Sequence, residues 1–214
     1  MRLHQMSARF YKVVHDLHLY LGLFISPFVL VFSVSVFFLV HAWLPKFSEQ
    51  KAVTRIVSDF PLPADLQNLS GRKLVDAVRP SLDYAKVSGE ISFIRHQVNE
   101  HKLVIPVIIP GRETTVTINT TNREATIVSR ETGLADALVT LHKFPGQHLE
   151  AIRMNWFWMT AWRWMADMTV YLILFISVSG VYLWYVLRAE RRVGYVLLSA
   201  GAVVFFGMIY GLCR

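Results

Sequence analysis

Residues 17–43, LHLYLGLFISPFVLVFSVSVFFLVHAW, contain no Asp, Glu, Lys or Arg and carry a histidine near each end, His18 and His41. This run constrains the fold more than any other feature. A bilayer core is crossed by about 20 apolar residues in a helix that satisfies its own backbone hydrogen bonds. At about 1.5 Å rise per residue, the two histidines lie ~35 Å apart, near opposite membrane faces. Two further uncharged runs, 168–187 and 193–213, have comparable length. With 54% hydrophobic residues and a mean hydropathy of +0.40, the 214-residue chain is too apolar for an ordinary soluble domain. The sequence therefore reads as a membrane α-helical protein with three transmembrane helices and a small α+β domain inserted between the first two.

Orientation follows from the short flanks. Arg2, Arg9 and Lys12 precede the first run, and Arg188, Arg191 and Arg192 separate the second from the third. The positive-inside rule places both segments in the cytoplasm and the insertion on the opposite side, because long loops cross largely regardless of their charge. These flanks account for part of the formal charge of +7, so no nucleic-acid partner is expected. The first run is about twice the length of a signal-peptide core and no small-residue cleavage site follows it, which favours a retained anchor. The resulting division is 1–16 cytoplasmic segment, 17–44 first span, 45–150 inserted domain, 151–167 tryptophan-rich interfacial segment, 168–187 second span, 188–192 basic loop and 193–213 third span.

Within the first span, Pro27 is compatible with a membrane helix, and Pro45 marks the exit. In the insertion, Ser70 is placed to cap a helix over 72–78 that Pro80 ends. Alternating and β-branched runs at 85–95, 103–109, 114–119 and 125–129 read as strands, joined by turns at Pro110-Gly111-Arg112 and 120–123. A helix on an antiparallel sheet is the simplest arrangement. Gly133 opens a second helical segment in which Leu134, Ala137, Leu138, Leu141 and Phe144 keep helical spacing, with His142 among them and Pro145-Gly146 as the break. Trp156, Trp158, Trp162 and Trp164 then form an aromatic belt, and Tyr182, Trp184 and Tyr185 form a second one. Gly207 and Gly211 make a GxxxG pair, a weak signal of close helix approach.

The histidines carry the candidate chemistry. Of the eight, His41, His142 and His148 gather at the outer boundary, while His15 and His18 fall at the inner one. Imidazole is a common axial ligand to haem iron, and two such ligands on facing helices make an electron-transfer site. Zinc is the competing use, with Glu49 and Glu150 available beside His41, His142 and His148, but no tight ligand spacing supports it. The single cysteine, Cys213, excludes a disulfide framework and a c-type haem attachment. No Walker loop, nucleophile elbow or dinucleotide fingerprint is present. Asp167 is placed to pair with Arg163 one helical turn away.

The strings LHLYLGLFISPF, TINTTNREATIVSRETGLADALVTLHKF and SVSGVYLWY followed by basic residues resemble the PepSY-associated transmembrane family of bacterial inner-membrane proteins, over most of the chain up to Arg192. The resemblance implies an inner-membrane location with a PepSY-like periplasmic domain, and a haem-containing reductase that delivers electrons to ferric iron or a ferric siderophore. It matches the family's histidine four residues before a glycine to His18 and Gly22, and its Leu-His to Leu141-His142. Larger relatives have more spans and more histidines. The expectation is haem b, one or two per chain, with His41 and His142 as outer iron ligands, His148 as the alternate, and His18 with His15 as alternate for an inner site. The implied partners are the lipid bilayer, the ferric substrate, an electron donor and a second copy of the chain. The rival expectation is a membrane-anchored PepSY-like accessory protein without redox activity.

Overall fold

The computed structural model describes residues 2–41, 52–63, 66, 68–143, 152–187 and 190–213. Pro45, Glu49, Phe144, Pro145, Gly146, His148, Glu150 and Arg188 lie outside these residues. Two compact units are present, one made of residues 1–26 with 169–214 and the other of residues 27–168.

Three helices are long and apolar enough to cross a membrane: Ala8–Val40 within α1 (Arg2–Val40), α4 (Phe157–Leu187) and α5 (Arg191–Leu212). The protein is thus a membrane protein with three candidate spans and an antiparallel sheet domain between the first two. Pro27 sits inside α1 without ending it. Trp158, Trp162 and Trp164 lie on the same continuous helix as residues 168–187. In the first unit, α1 approaches α4 where side chains are small. A β-carbon on Gly22 would lie 3.9 Å from Ile176, and one on Gly180 would lie 3.4 Å from His18. At the α4–α5 junction Trp184 packs flat against Gly194, where any β-carbon would overlap the indole, and meets Tyr195 edge to face. Gly207 and Gly211 face no atom of the described chain within 4 Å.

The sheet domain belongs to the second unit. Its strands are β1 (Ala52–Val57), β2 (Glu90–Ile91), β3 (Arg95–Gln97), β4 (Lys102–Ile109), β5 (Arg112–Asn119) and β6 (Glu124–Glu131), in the order β1-β6-β5-β4-β2, with β3 also paired to β4. All pairings are antiparallel. Period-two alternation turns Leu103, Ile105 and Val107, Val116 and Ile118, and Ala125 and Ile127 to one face. Val75, Val78 and Leu82 of α2 (Gly71–Tyr84) cover that face and close the core. A last helix, α3 (Gly133–Lys143), follows β6.

Three expectations change. Pro80 does not end α2, which runs on to Tyr84 because Leu82 and Ala85 are buried against the sheet, outweighing the one backbone bond that a proline removes. Ser70 occupies the cap position in an extended conformation but makes no side-chain cap bond. The run 85–95 is not one strand. Positive φ at Lys86 (55°) and Gly89 (139°) turns the chain, leaving only β2 and the start of β3. Strand β1, with five of its six residues exposed, lacks the alternation that marks a strand in sequence and was not among the expected ones.

Gly89 combines positive φ with crowding, because a β-carbon there would lie 2.8 Å from Val107 Cγ1 and 2.9 Å from the Ile108 carbonyl. Gly89→Ala should destabilise the domain by about 2 kcal/mol or more, read as a lower thermal midpoint of the purified full-length protein in detergent.

Candidate functional site

In the first unit, His18 reaches across from α1 to α4. Its Nδ1 lies 2.8 Å from Ser179 Oγ, and Ser179 Oγ donates to the Ile176 carbonyl at 3.2 Å. A hydroxyl has one hydrogen. With that hydrogen on its own helix, Ser179 can accept from His18 Nδ1, an arrangement that leaves Nε2 available to a ligand.

The second unit repeats this arrangement with different elements. His142 Nδ1, on α3, lies 3.0 Å from Ser35 Oγ on α1, and Ser35 donates to the Phe32 carbonyl at 2.6 Å. Ser35 is only 1% exposed. With its hydrogen on the Phe32 carbonyl, Ser35 can likewise accept from His142 Nδ1. Phe32 meets the His142 ring edge to face at 5.9 Å and stacks obliquely near Trp162 at 5.7 Å. Trp162 Nε1 donates to the Leu141 carbonyl at 2.9 Å, so α4 holds the C-terminal turn of α3 in place.

His41 and His15 are also anchored through Nδ1, to the Phe37 carbonyl at 2.9 Å and to Asp16 Oδ1 at 3.2 Å. Neither acceptor has a hydrogen to give, so His41 and His15 carry a hydrogen on Nδ1 in these bonds. His41 stacks on Phe37, whereas His142 bonds and packs at Ser35 and Phe32. His15 and His18 take different partners, Asp16 and Ser179. His148, Glu49 and Glu150 lie outside the described residues, and among the described residues no group of three or more His, Cys, Asp or Glu side chains is arranged to hold a metal ion. Asp167 pairs with Arg163 at 3.8 Å as the spacing predicts.

A family model described as putative PepSY_TM-like matches residues 10–213. The chain belongs to the PepSY_TM-like family. No curated protein and no solved structure matches it.

A buried polar network of this PepSY_TM-like chain joins Glu90, Asn155 and Arg79 and has no signal in the sequence. Glu90, 3% exposed, accepts the backbone N–H of Asn155 through Oε1 at 3.2 Å and that of Trp156 through Oε2 at 2.9 Å. Its carboxylate thereby satisfies donors at the start of α4 that the helix itself cannot. Asn155 returns the contact, its Oδ1 accepting from Ile91 N–H at 3.0 Å and its Nδ2 donating to the Ile91 and Ile152 carbonyls at 2.9 and 2.8 Å. Arg79 closes the network by donating to the Gly89 carbonyl at 2.8 Å and to both oxygens of Asn155. A lone Glu and a lone Asn 65 positions apart offer no sequence signal of such a pairing.

Burial pushes the Glu90 carboxyl above its ordinary value of 4.5, against the opposing pull of the backbone N–H groups and of Arg79. In the window between the ordinary and the raised value the folded chain binds more protons than the unfolded chain, so stability falls as pH rises through it. Thermal unfolding of the full-length protein should show this slope from pH 4.5 upward, and Glu90→Gln should flatten it. An identical slope in the variant would rule out Glu90 as its source.

Proposed function

We propose that this PepSY_TM-like chain is a b-type haem protein of the bacterial inner membrane that passes electrons outward and reduces ferric iron or a ferric siderophore on the periplasmic side. The observation that carries this reading is the shared anchoring of His15, His18, His41 and His142 at Nδ1. Fixing the proton on Nδ1 presents Nε2 as a ligand, and a hydrogen bond at the far nitrogen orients the ring and raises its basicity. Histidine inside a membrane helix bundle is costly and usually functional, and two of these are held by serines on facing helices.

Haem b, when bound, supplies one-electron transfer at its iron. The donor set of the chain fits that group. His142 and His41 would hold it at an outer site, and His18, with His15 as the alternate, would serve an inner one. Ser179 and Ser35 hold the rings of His18 and His142, and Phe32 and Trp162 supply an apolar wall beside His142. The soluble domain would present the ferric acceptor, and a membrane or cytoplasmic reductant would supply electrons.

Protein purified from haem-replete cells should be red, with a sharp Soret band and a reduced α band. His142→Ala and His18→Ala should each remove haem, whereas Ser35→Ala and Ser179→Ala should keep the ligand and weaken haem retention by roughly 10-fold to 100-fold. A colourless wild-type protein from such cells would sink this reading and leave the accessory-protein alternative.

A further inference from the structure

We propose that the sheet domain binds a compact multivalent oxyanion, of the polycarboxylate or phosphate type, in a cleft of about 250 Å³ bordered by Arg55, Lys86 and Arg112 and floored by Thr114 and Ser129. The cleft is a continuation of the core face of the sheet. Strands β5 and β6 point Val116 and Ile118, and Ala125 and Ile127, into the core. The next positions on that face are Thr114 and Ser129, which stand opposite each other in the ladder and share a hydrogen bond of 2.9 Å between their hydroxyls. Helix α2 stops at Tyr84, so its apolar cover ends where the hydroxyls begin. A cleft of about 250 Å³ has room for an anion of several heavy atoms.

Three cations reach this one cleft from three separate elements. Arg55 comes from β1 and donates to the Ala85 carbonyl, Lys86 comes from the turn after α2, and Arg112 opens β5. Glu131 stands opposite Arg112 in the ladder, but no ion pair joins them among the described residues. Among the described residues no ion pair involves Arg55, Lys86 or Arg112, so three cations stand at the cleft against the carboxylate of Glu131 across the ladder.

Lys86 supplies an independent argument. Its N–H bonds to the Asp83 carbonyl and the Val87 N–H to the Leu82 carbonyl, both at 2.9 Å, which is the bond pair of a Schellman helix ending. In that motif the residue after the cap is left-handed and is usually glycine. Here it is a lysine with φ 55°. A strained residue kept where glycine would be better accommodated points to a side chain retained for what it does, and this one lies at the cleft.

The inference does not depend on haem, and its test separates binding from folding. Full-length protein in zwitterionic nanodiscs at low ionic strength, where screening is weakest, is titrated calorimetrically with citrate in one arm and inorganic phosphate in the other. Wild type should bind at least one of them, and the tighter arm identifies the polycarboxylate or phosphate class. Lys86→Gly should raise the thermal midpoint by a few degrees while weakening binding by roughly tenfold or more. Arg112→Gln, at an exposed position, should weaken binding with little change in the midpoint. Failure of wild type to bind either anion, or unchanged affinity in both variants, would overturn the proposal.

Discussion

A polar ring placed among apolar helices must find a hydrogen-bond partner inside the bundle, because lipid offers none. For His18 and His142 that partner is a serine that also bonds the carbonyl three residues earlier. The neighbouring packing follows from this requirement. Gly180 leaves the space that His18 occupies beside Ser179, and the indole of Trp162 holds the carbonyl of Leu141 so that the next residue, His142, meets Ser35. A serine that accepts from Nδ1 leaves Nε2 of each of these two histidines for a ligand.

The sheet domain solves a different problem with a buried charge. Glu90 sits where the chain turns from α2 into the short strand β2, and its two oxygens take up the backbone donors ahead of α4. Gly89, immediately before it, has the positive φ and the absent side chain that bring the backbone against Val107 and Ile108. Together with Asn155 and Arg79, these residues connect the end of the sheet to the beginning of the tryptophan-rich helix through hydrogen bonds. Removing any one partner strands buried donors or acceptors, which is why such networks are sensitive to single substitutions.

Much of the architecture was legible in the chain. The spans were visible because charge-free runs of that length have few other uses. Strands β4, β5 and β6 were visible because Leu103 to Ile109, Thr114 to Asn119 and Ala125 to Ser129 alternate buried with half-buried positions. Strand β1 was not, because it is an exposed edge whose residues record no buried face. Pro80 misled because local propensity was outweighed by burial of the residues after it. Of the candidate site, the histidines were legible as residue types that are rare in apolar helices. Their partners were not, because serine is common in membrane helices and Ser35 and Ser179 have no distinguishing neighbours in sequence.

The sequence by itself determined the three spans, the helix-on-sheet domain and the histidines worth examining, since periodicity and charge depletion are local properties that a linear reading can measure. Only the tertiary structure decided which serine each of the two histidines meets, that Glu90 reaches Asn155 and Trp156, and that Arg55, Lys86 and Arg112 share one cleft. Those pairings join residues far apart in the chain, and their energies depend on distance and burial, which no spacing along the sequence encodes.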